Sequence, residues 1–181
     1  MIYFKPLTTK HIKQGWLKWV NTKESRLFIR TVNSKLKYKD LKKWLEKNKK
    51  LGDITYAIYL KENNKFIGTT RISLINHAEK SCTLGRLIGE NSNRDKGLGS
   101  MVTKKVIQLA FNKLKLNKVW VEVYANNKRS LKSHLNGGFF IAGVKKFHYL
   151  QNKKFVDTIY LEKLKNRKKK IIHIHQSILT K

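Results

Sequence analysis

The stretch Arg94-Asp95-Lys96-Gly97-Leu98-Gly99-Ser100 decides the fold, because it stands between a predicted strand and the most regular predicted helix of the chain. Two glycines let the backbone turn and approach a ligand closely. The free N–H groups and the dipole of a helix start favour the negative charge of a pyrophosphate, and Arg94 and Lys96 add cationic donors. The pattern is neither a Walker A loop nor a GxGxxG turn. An ordinary glycine-rich turn is the competing interpretation.

Around this stretch the hydrophobic pattern changes repeatedly between strand and helix periods. The helical period that begins at Gly97 lasts about four turns. Strands are predicted at 2–5, 54–60, 66–74, 80–89, 118–125, 139–147 and 155–161, and further helices at 8–20, 39–49 and 127–136. This order predicts an α/β fold, in which a mixed sheet is covered by helices on both faces.

The charge balance is strongly basic, with 41 Lys+Arg against 11 Asp+Glu and a net charge of +30 over 181 residues. Such a field attracts polyanions: nucleic acid, anionic membranes or phosphorylated cofactors. Because most of the excess is lysine and arginine is scarce, a coding bias explains the charge without a nucleic-acid partner. RNP, KH and zinc-finger signatures do not occur in the sequence. An RNA-associated basic module, anchored by residues 165–181, stays an alternative.

Several features favour a cytoplasmic protein of one domain. No apolar run approaches the roughly 20 residues that cross a bilayer. The first residues, MIYFKPLTTK, lack the pattern of a secretory signal. The single cysteine, Cys82, cannot form an intramolecular disulfide. His173 and His175 have no nearby acidic partner, so no metal site is predicted.

Three motifs together resemble the GNAT superfamily of N-acetyltransferases: LGRLIG at 84–89, R-x-x-G-x-G at 94–99, and Asn127-Lys128-Arg129-Ser130 followed by Gly138-Phe139. Details at 19–21 and 124–130 are most similar to the RimJ/RimL-type branch, which includes ribosomal-protein, spermidine and amino-sugar-nucleotide acetyltransferases. The resemblance implies a domain at 1–164 and a basic tail at 165–181. It implies a twisted, mostly antiparallel sheet of about six or seven strands, and acetyl-CoA as the acetyl donor.

The resemblance also implies where the cofactor binds. The strand before the glycine turn would part from its neighbour, and Arg86, Leu87 and Ile88 would pair with the pantetheine arm. The N–H group of Leu87 or Ile88 would stabilise the oxyanion of the tetrahedral intermediate. The pyrophosphate would lie on Arg94, Lys96, Gly97, Leu98, Gly99 and Ser100. Asn127 and Ser130 would lie beside the pantetheine, and Asn127 is also suited to cap the following helix.

Two side chains are candidates for the proton transfers that the resemblance implies. Glu122 lies where several family members have a general base for the attacking amine. His134 falls seven residues after Asn127, where the family usually has a tyrosine as general acid. As an imidazolium it would protonate the departing thiolate. A salt-bridged strand carboxylate and a surface histidine are the competing interpretations, and Tyr124 and Tyr149 are weaker candidates for the acid.

The acceptor pocket of this family is built mainly from the first helices, and here that region contributes Trp19, Arg26 and Phe28 as candidate substrate-binding residues. Aromatic rings beside cations suit an anionic small amine such as an amino-sugar nucleotide. We expect direct attack in a ternary complex, since Cys82 has no neighbouring base for acyl-cysteine chemistry. A protein N-terminus, as in ribosomal-protein acetyltransferases, is the alternative acceptor, and an acetyl-CoA sensor without turnover is a further alternative. A homodimer is compatible with the sequence.

Overall fold

The structure of the chain, a computed structural model, describes residues 1–29, 34–89 and 97–166. Its seven strands form one sheet in the order β1-β2-β3-β4-β5-β7-β6. The strands are β1 (Ile2–Pro6), β2 (Ile54–Leu60), β3 (Phe66–Asn76), β4 (Ser81–Ile88), β5 (Lys118–Tyr124), β6 (Phe140–Gln151) and β7 (Lys154–Leu164). Neighbouring strands are antiparallel except for β4 and β5, which are parallel. The predicted mixed, mostly antiparallel sheet is therefore confirmed.

The helices precede β2 or flank β5. In the N-terminal part a π-helical segment (Ile12–Trp16) leads into α1 (Leu17–Val20), followed by α2 (Lys23–Phe28) and α3 (Tyr38–Lys50). In the C-terminal part α4 (Leu98–Gln108) continues into a π-helical segment (Leu109–Lys113), and α5 (Lys128–Asn136) follows β5. Among these described helices, none is both long and apolar enough to cross a membrane.

The first helical region departs from its prediction at Gly15. We expected one helix over 8–20, but the backbone of Gly15 has a φ of 135° and interrupts it. A Cβ atom at Gly15 would lie 2.8 Å from the indole of Trp19, so glycine also lets this turn pack closely. The short helix α2 was not predicted. Thr22 caps it by accepting a hydrogen bond from the Ser25 N–H at 3.2 Å.

Two hydrophobic clusters cover the two faces of the sheet. One contains Val102 and Val106 of α4 together with Ile58 of β2. The other contains Trp16 near the first helices together with Ala57 of β2. Because successive side chains of a strand point to opposite faces, the neighbours Ala57 and Ile58 reach different clusters. Helices therefore cover both faces, as predicted.

The sheet opens between β4 and β5. Only Ser81, Cys82 and Thr83 of β4 pair with β5, opposite 118–120. Farther along, residues 84–88 pair with β3, and residues 121–124 pair with β7. Within the described strands this leaves a wedge, which we call the β4–β5 wedge, between 84–88 and 121–124. The predicted parting of the strand is therefore present. Only Lys165 and Asn166 of the expected basic tail lie in the described ranges.

Candidate active site

A cavity of about 560 Å³ opens where β4 ends and α4 begins; we call it the large cavity. It is lined by nine of the predicted cofactor residues, namely Arg86, Leu87, Ile88, Gly97, Leu98, Gly99, Ser100, Asn127 and Ser130. These residues come from three segments that are far apart in the sequence. Arg94 and Lys96, predicted to hold the same pyrophosphate, lie outside the described residues.

The start of α4 forms one wall of the large cavity. Gly97 is the N-cap of α4 and has a φ of 72°, a conformation that favours glycine. The first N–H groups of a helix have no partner within the helix, and here they belong to Leu98, Gly99 and Ser100. Such a helix start binds anions through its N–H groups and its dipole. This wall is therefore suited to a diphosphate.

The start of α5 forms the opposite wall and comes very close to α4. A Cβ atom on Gly99 would lie 2.5 Å from Oγ of Ser133, so glycine lets the two helices approach closely at this point. Asn127 caps α5, since its Oδ1 accepts a hydrogen bond from the Ser130 N–H at 3.1 Å. The expected capping role of Asn127 is thus present, and it holds the start of α5 at the cavity.

Positive side chains outnumber negative ones around the large cavity. Its described lining contains the cations Arg86, Lys128, Arg129 and Lys132, and one carboxylate, that of Glu24. Glu24 and Arg129 form an ion pair of 2.9 Å in which both side chains are about half exposed. The remaining excess of positive charge favours an anionic ligand.

The backbone of β4 directs one of the two candidate amides toward the open side of the sheet. The Gly89 N–H donates to the carbonyl oxygen of Ile67 at 2.8 Å, and Gly68 stands opposite Ile88. In an antiparallel pair, opposite residues alternate between exchanging two backbone hydrogen bonds and exchanging none. This alternation points the N–H of Ile88, rather than that of Leu87, away from β3.

A second cavity of about 150 Å³ fills the β4–β5 wedge. Its walls are Leu84 and Gly85 of β4 and residues 121–124 of β5, closed off by His134, Tyr149 and Thr158. Within the described parts of the chain, four residues line this cavity and the large cavity alike: Phe28, Arg86, Asn127 and Ser130. The two cavities therefore meet, and a ligand in the large cavity can extend its end into the wedge.

Glu122 places a carboxylate in the wedge. Its side chain is only 8% exposed and forms an ion pair with Lys145 of β6. The hydroxyl of Tyr149 donates to the other carboxylate oxygen, Oε2, at 3.2 Å. The carboxylate is thus held between a lysine ammonium group and a tyrosine hydroxyl. The competing interpretation, a salt-bridged strand carboxylate, describes part of this environment, but the residue also lines the cavity.

His134 lies in an environment that differs from the expected one. Its side chain is buried, and Nη1 of Arg86 lies 2.9 Å from Nε2 and 3.1 Å from Nδ1. Burial, and secondarily the charge of Arg86, lower the pKa of His134 well below its usual value. A guanidinium only donates hydrogen bonds, so the ring nitrogen that accepts must be unprotonated. The imidazolium acid expected from the sequence is therefore corrected to a neutral, buried imidazole.

Arg86 is the residue whose side chain the sequence-based prediction missed, since only its backbone was assigned a role. Nη1 donates to the hydroxyl of Thr103 on α4 at 2.6 Å as well as contacting His134. Burial lowers the pKa of Arg86 to about 10, so the guanidinium stays charged near neutral pH. In the described part of the chain no carboxylate pairs with it.

The three predicted substrate-binding residues lie in different places. Phe28 of α2 lines both cavities, and its ring centroid is 6.3 Å from that of Tyr124. Trp19 is 4% exposed and packs against Phe66, and a Cβ atom on Gly89 would collide with its indole. Arg26 is exposed on α2. Neither Trp19 nor Arg26 lines the two cavities, so Trp19 is corrected to a core residue that supports the end of β4.

The sequence model of the GNAT acetyltransferase domain matches residues 2–139. The chain belongs to the GNAT family of acetyltransferases. Acetyltransferase PseH of Campylobacter jejuni is 29% identical over 126 residues, which are 68% of this chain and 74% of that protein. The L-amino acid N-acetyltransferase AaaT of Escherichia coli is 26% identical over 72 residues, or 40% of this chain and 44% of that protein.

Solved structures of acetyltransferases share the fold of this GNAT protein. The spermidine N-acetyltransferase of Vibrio cholerae, in complex with CoA and spermine, has a TM-score of 0.77 at 15% identity, with 90% of this chain and 95% of that chain covered. The ribosomal-protein-S5-alanine acetyltransferase of Vibrio fischeri has a TM-score of 0.77 at 16% identity, covering 93% and 95%. The chain is an N-acetyltransferase with acetyl-CoA as its donor.

Proposed function

We propose that this acetyltransferase transfers the acetyl group to the primary amine of a small anionic acceptor, with amino-sugar nucleotides as the first candidate class. The observation that carries the proposal is the meeting of the two cavities. One has a helix start suited to a diphosphate, and the other holds a buried carboxylate at the end of the wedge. Donor and acceptor would then meet at the residues that both cavities share.

The donor would lie along the walls of the large cavity. We place the diphosphate on the first turn of α4, where helix N–H groups point outward. The pantetheine would follow the open edge of β4 between α4 and α5, beside Asn127 and Ser130. The thioester oxygen would accept a hydrogen bond from the N–H of Ile88. That bond strengthens as negative charge develops on the oxygen in the transition state.

Glu122 would remove the proton that keeps the acceptor amine from attacking. An ammonium group must lose a proton before its nitrogen can bond to the thioester carbon. The carboxylate of Glu122 lines the wedge, and Oγ1 of Thr158 is buried there without a hydrogen-bond partner among the described residues. That hydroxyl would form a hydrogen bond to the acceptor, or to a water molecule that carries the proton from the amine to Glu122. The nitrogen then attacks directly, without an acyl-enzyme.

The excess of positive charge around the two cavities favours anionic acceptors over polyamines. A polyamine carries several positive charges and needs carboxylates, whereas the described lining of the two cavities has four cations against Glu24 and Glu122. A free amino acid is the second candidate, because its carboxylate is also anionic and the relative AaaT is an L-amino acid N-acetyltransferase. Phe28 at the junction would pack against a sugar or a base.

A screen of acceptors with acetyl-CoA tests the proposal through the release of free thiol. The panel is UDP-glucosamine, glucosamine 6-phosphate, L-phenylalanine, spermidine and a peptide that begins with alanine. Burial raises the pKa of Cys82 to about 12, so the protein's own thiol adds little background. We expect the highest kcat/KM with an anionic amine. A clear preference for spermidine or for the peptide would contradict the acceptor class, and no turnover with any amine would favour an acetyl-CoA sensor.

A further inference from the structure

Arg86 lies where the large cavity meets the β4–β5 wedge, which is where the acetyl group would be transferred. Its side chain lines both the large cavity and the wedge, and among the described residues only Phe28, Asn127 and Ser130 share this position. Of these four residues, Arg86 alone carries a full charge. A thioester that reaches from the start of α4 toward Glu122 has to pass its guanidinium.

The guanidinium is fixed in position, and the part of the chain that the structure describes offers it no counter-charge. Thr103 and His134 both contact Nη1, at 2.6 Å and 2.9 Å, so the side chain is held between α4 and α5. Both partners are neutral, and the described residues supply no carboxylate to it. Arg86 is partly buried, and a cation that is largely removed from water without an anionic partner is costly for the fold unless a ligand provides the negative charge. The arrangement therefore indicates an anion that forms or binds at the junction.

We propose that the guanidinium of Arg86 stabilises the thiolate of CoA as it leaves, in place of a proton donor; this inference rests on the proposed function. His134, at the position where a general acid was expected, is neutral and points its acceptor nitrogen at Arg86. It acts as a positioning residue that holds the guanidinium. A charge fixed before the reaction stabilises developing negative charge without reorganisation.

The steps balance without any further reactant. The amine nitrogen bonds to the thioester carbon, and the electrons of the carbon–oxygen double bond move to oxygen. When that double bond forms again, the carbon–sulfur bond breaks and its electron pair goes to sulfur. The ammonium form of the acceptor first gives one proton to Glu122, which passes it to solvent before the attack. After the attack the nitrogen gives its second proton to Glu122, while the thiolate pairs with the guanidinium of Arg86. The thiolate is protonated by solvent when CoA departs.

The pH dependence of CoA binding measures this stabilisation without any acceptor. CoA and S-methyl-CoA are titrated into the protein by calorimetry across a pH series, so that only the thiol differs between the two ligands. An opposite charge at close range should lower the pKa of the bound thiol by about one unit or more. We expect the ratio of the CoA affinity to the S-methyl-CoA affinity to rise about tenfold with pH in the wild type. In Arg86→Met the ratio should stay flat.

Two further variants complete the experiment. Arg86→Lys keeps the charge and should restore part of the rise, although a lysine cannot donate to two partners in the same fixed geometry. Arg71→Met is the matched control, because Arg71 is a partly buried arginine of β3 that pairs with Asp53 and lines neither cavity. It should leave the ratio as in the wild type.

The outcomes separate this inference from the proposed function. With the best acceptor, Arg86→Met should lower kcat about a hundredfold while the affinity for acetyl-CoA is kept. A flat affinity ratio in a wild-type protein that turns over normally would overturn the role of Arg86 and leave the proposed function standing. A higher KM for the acceptor, or weaker acetyl-CoA binding, at unchanged kcat would instead make Arg86 a ground-state anion site. Failure to bind CoA at all would overturn both.

Discussion

At the scale of single residues, the site combines a carboxylate and a guanidinium in one wedge. Glu122 and Arg86 both line the cavity in the β4–β5 wedge, yet Glu122 is paired with Lys145, whereas Arg86 contacts only neutral partners among the described residues. The two charges are thus held by different neighbours. In the proposed mechanism, this separation would let Glu122 accept a proton while Arg86 meets an anion.

The substitution Glu122→Gln tests the proposed base. It keeps the shape of the side chain but removes its capacity to accept a proton. We expect kcat with the best acceptor to fall by about a hundredfold or more, with the affinity for acetyl-CoA unchanged. The measurement is steady-state kinetics across a pH series, next to calorimetry with acetyl-CoA.

Glu162→Gln is the matched control for Glu122→Gln. Glu162 lies on β7 opposite Trp120 and lines neither cavity. Its substitution should leave kcat and the pH profile unchanged. If Glu122→Gln also keeps the wild-type pH profile, Glu122 takes no part in the proton transfer.

The neutral state of His134 predicts how stability depends on pH. The pKa of His134 is lowered in the folded protein. Below about pH 6.5 its imidazole therefore binds a proton in the unfolded chain but stays unprotonated in the folded chain. The free energy of unfolding should therefore fall as the pH drops below 6.5, by up to about 1.4 kcal/mol per unit from this residue. In His134→Asn this part of the slope should vanish. Chemical denaturation at several pH values measures it.

His11 also contributes to the pH dependence of the free energy of unfolding. Burial lowers its pKa as well, so the wild type and His134→Asn share a slope of the same sign from His11. Only the difference between the two proteins reports on His134. Equal slopes would mean that His134 binds a proton in the folded state, which would return it to the role of an acid.

Sequence reasoning located Glu122 but missed the state of His134 and the side chain of Arg86. Glu122 stands at a fixed distance before Asn127, which a motif can reveal. The contact between Arg86 and His134 joins residues 48 positions apart, on a strand and a helix that no local pattern relates. Charge and burial at such a contact depend on packing, so they required the three-dimensional structure.

At the scale of elements, the sequence predicted the strands well and the short helices poorly. β2 spans Ile54–Leu60 as its β-branched and aromatic residues predicted, and it is apolar almost throughout because its two faces meet two different clusters. The helix α2 has six residues and buries only Ser25, so its hydrophobic period is too short to detect. The opening of the sheet beyond Thr83 leaves no trace in the alternation of either strand. That feature was expected only from the family resemblance.

A negative charge at the start of α4 should affect the stability of the fold and the binding of acetyl-CoA differently. Ser100→Asp puts a carboxylate in the first turn, which favours the helix dipole but repels a diphosphate. We expect the free energy of unfolding to stay within about 0.5 kcal/mol or to rise. The affinity for acetyl-CoA should fall about tenfold or more, as measured by calorimetry.

Ser100→Asn is the matched neutral variant of Ser100→Asp. Asparagine has nearly the same size as aspartate but carries no charge. Both variants remove the hydroxyl of Ser100, which donates a hydrogen bond to the carbonyl oxygen of Ser133. Its affinity for acetyl-CoA should lie much closer to that of the wild type. Equal affinities of the Asp and Asn variants would show that the diphosphate lies elsewhere.

At the scale of the whole molecule, the net charge of +30 acts on stability and on binding in opposite directions. Like charges repel each other in the folded state, and salt screens that repulsion. Raising the ionic strength should therefore raise the Tm and weaken the binding of acetyl-CoA. Thermal melts and calorimetry over a potassium chloride series measure both effects.

The same series separates a cofactor site from a nucleic-acid site. Binding to nucleic acid releases counterions, so its affinity falls steeply with salt. If the excess of lysine reflects coding bias, a short RNA should bind weakly. It should also leave the binding of acetyl-CoA unchanged. A Tm that falls with added salt would contradict the self-repulsion. Tight, specific RNA binding would favour the basic-module alternative for residues 165–181.

The central claim is that the parted strand β4 and the start of α4 together hold acetyl-CoA. The most direct test is amide hydrogen exchange, followed by NMR with and without acetyl-CoA. The N–H groups of Ile88, Leu98, Gly99 and Ser100 should exchange more slowly when acetyl-CoA is bound, while amides in α3 stay unchanged. Unchanged exchange at these four amides in a protein saturated with acetyl-CoA would contradict the account.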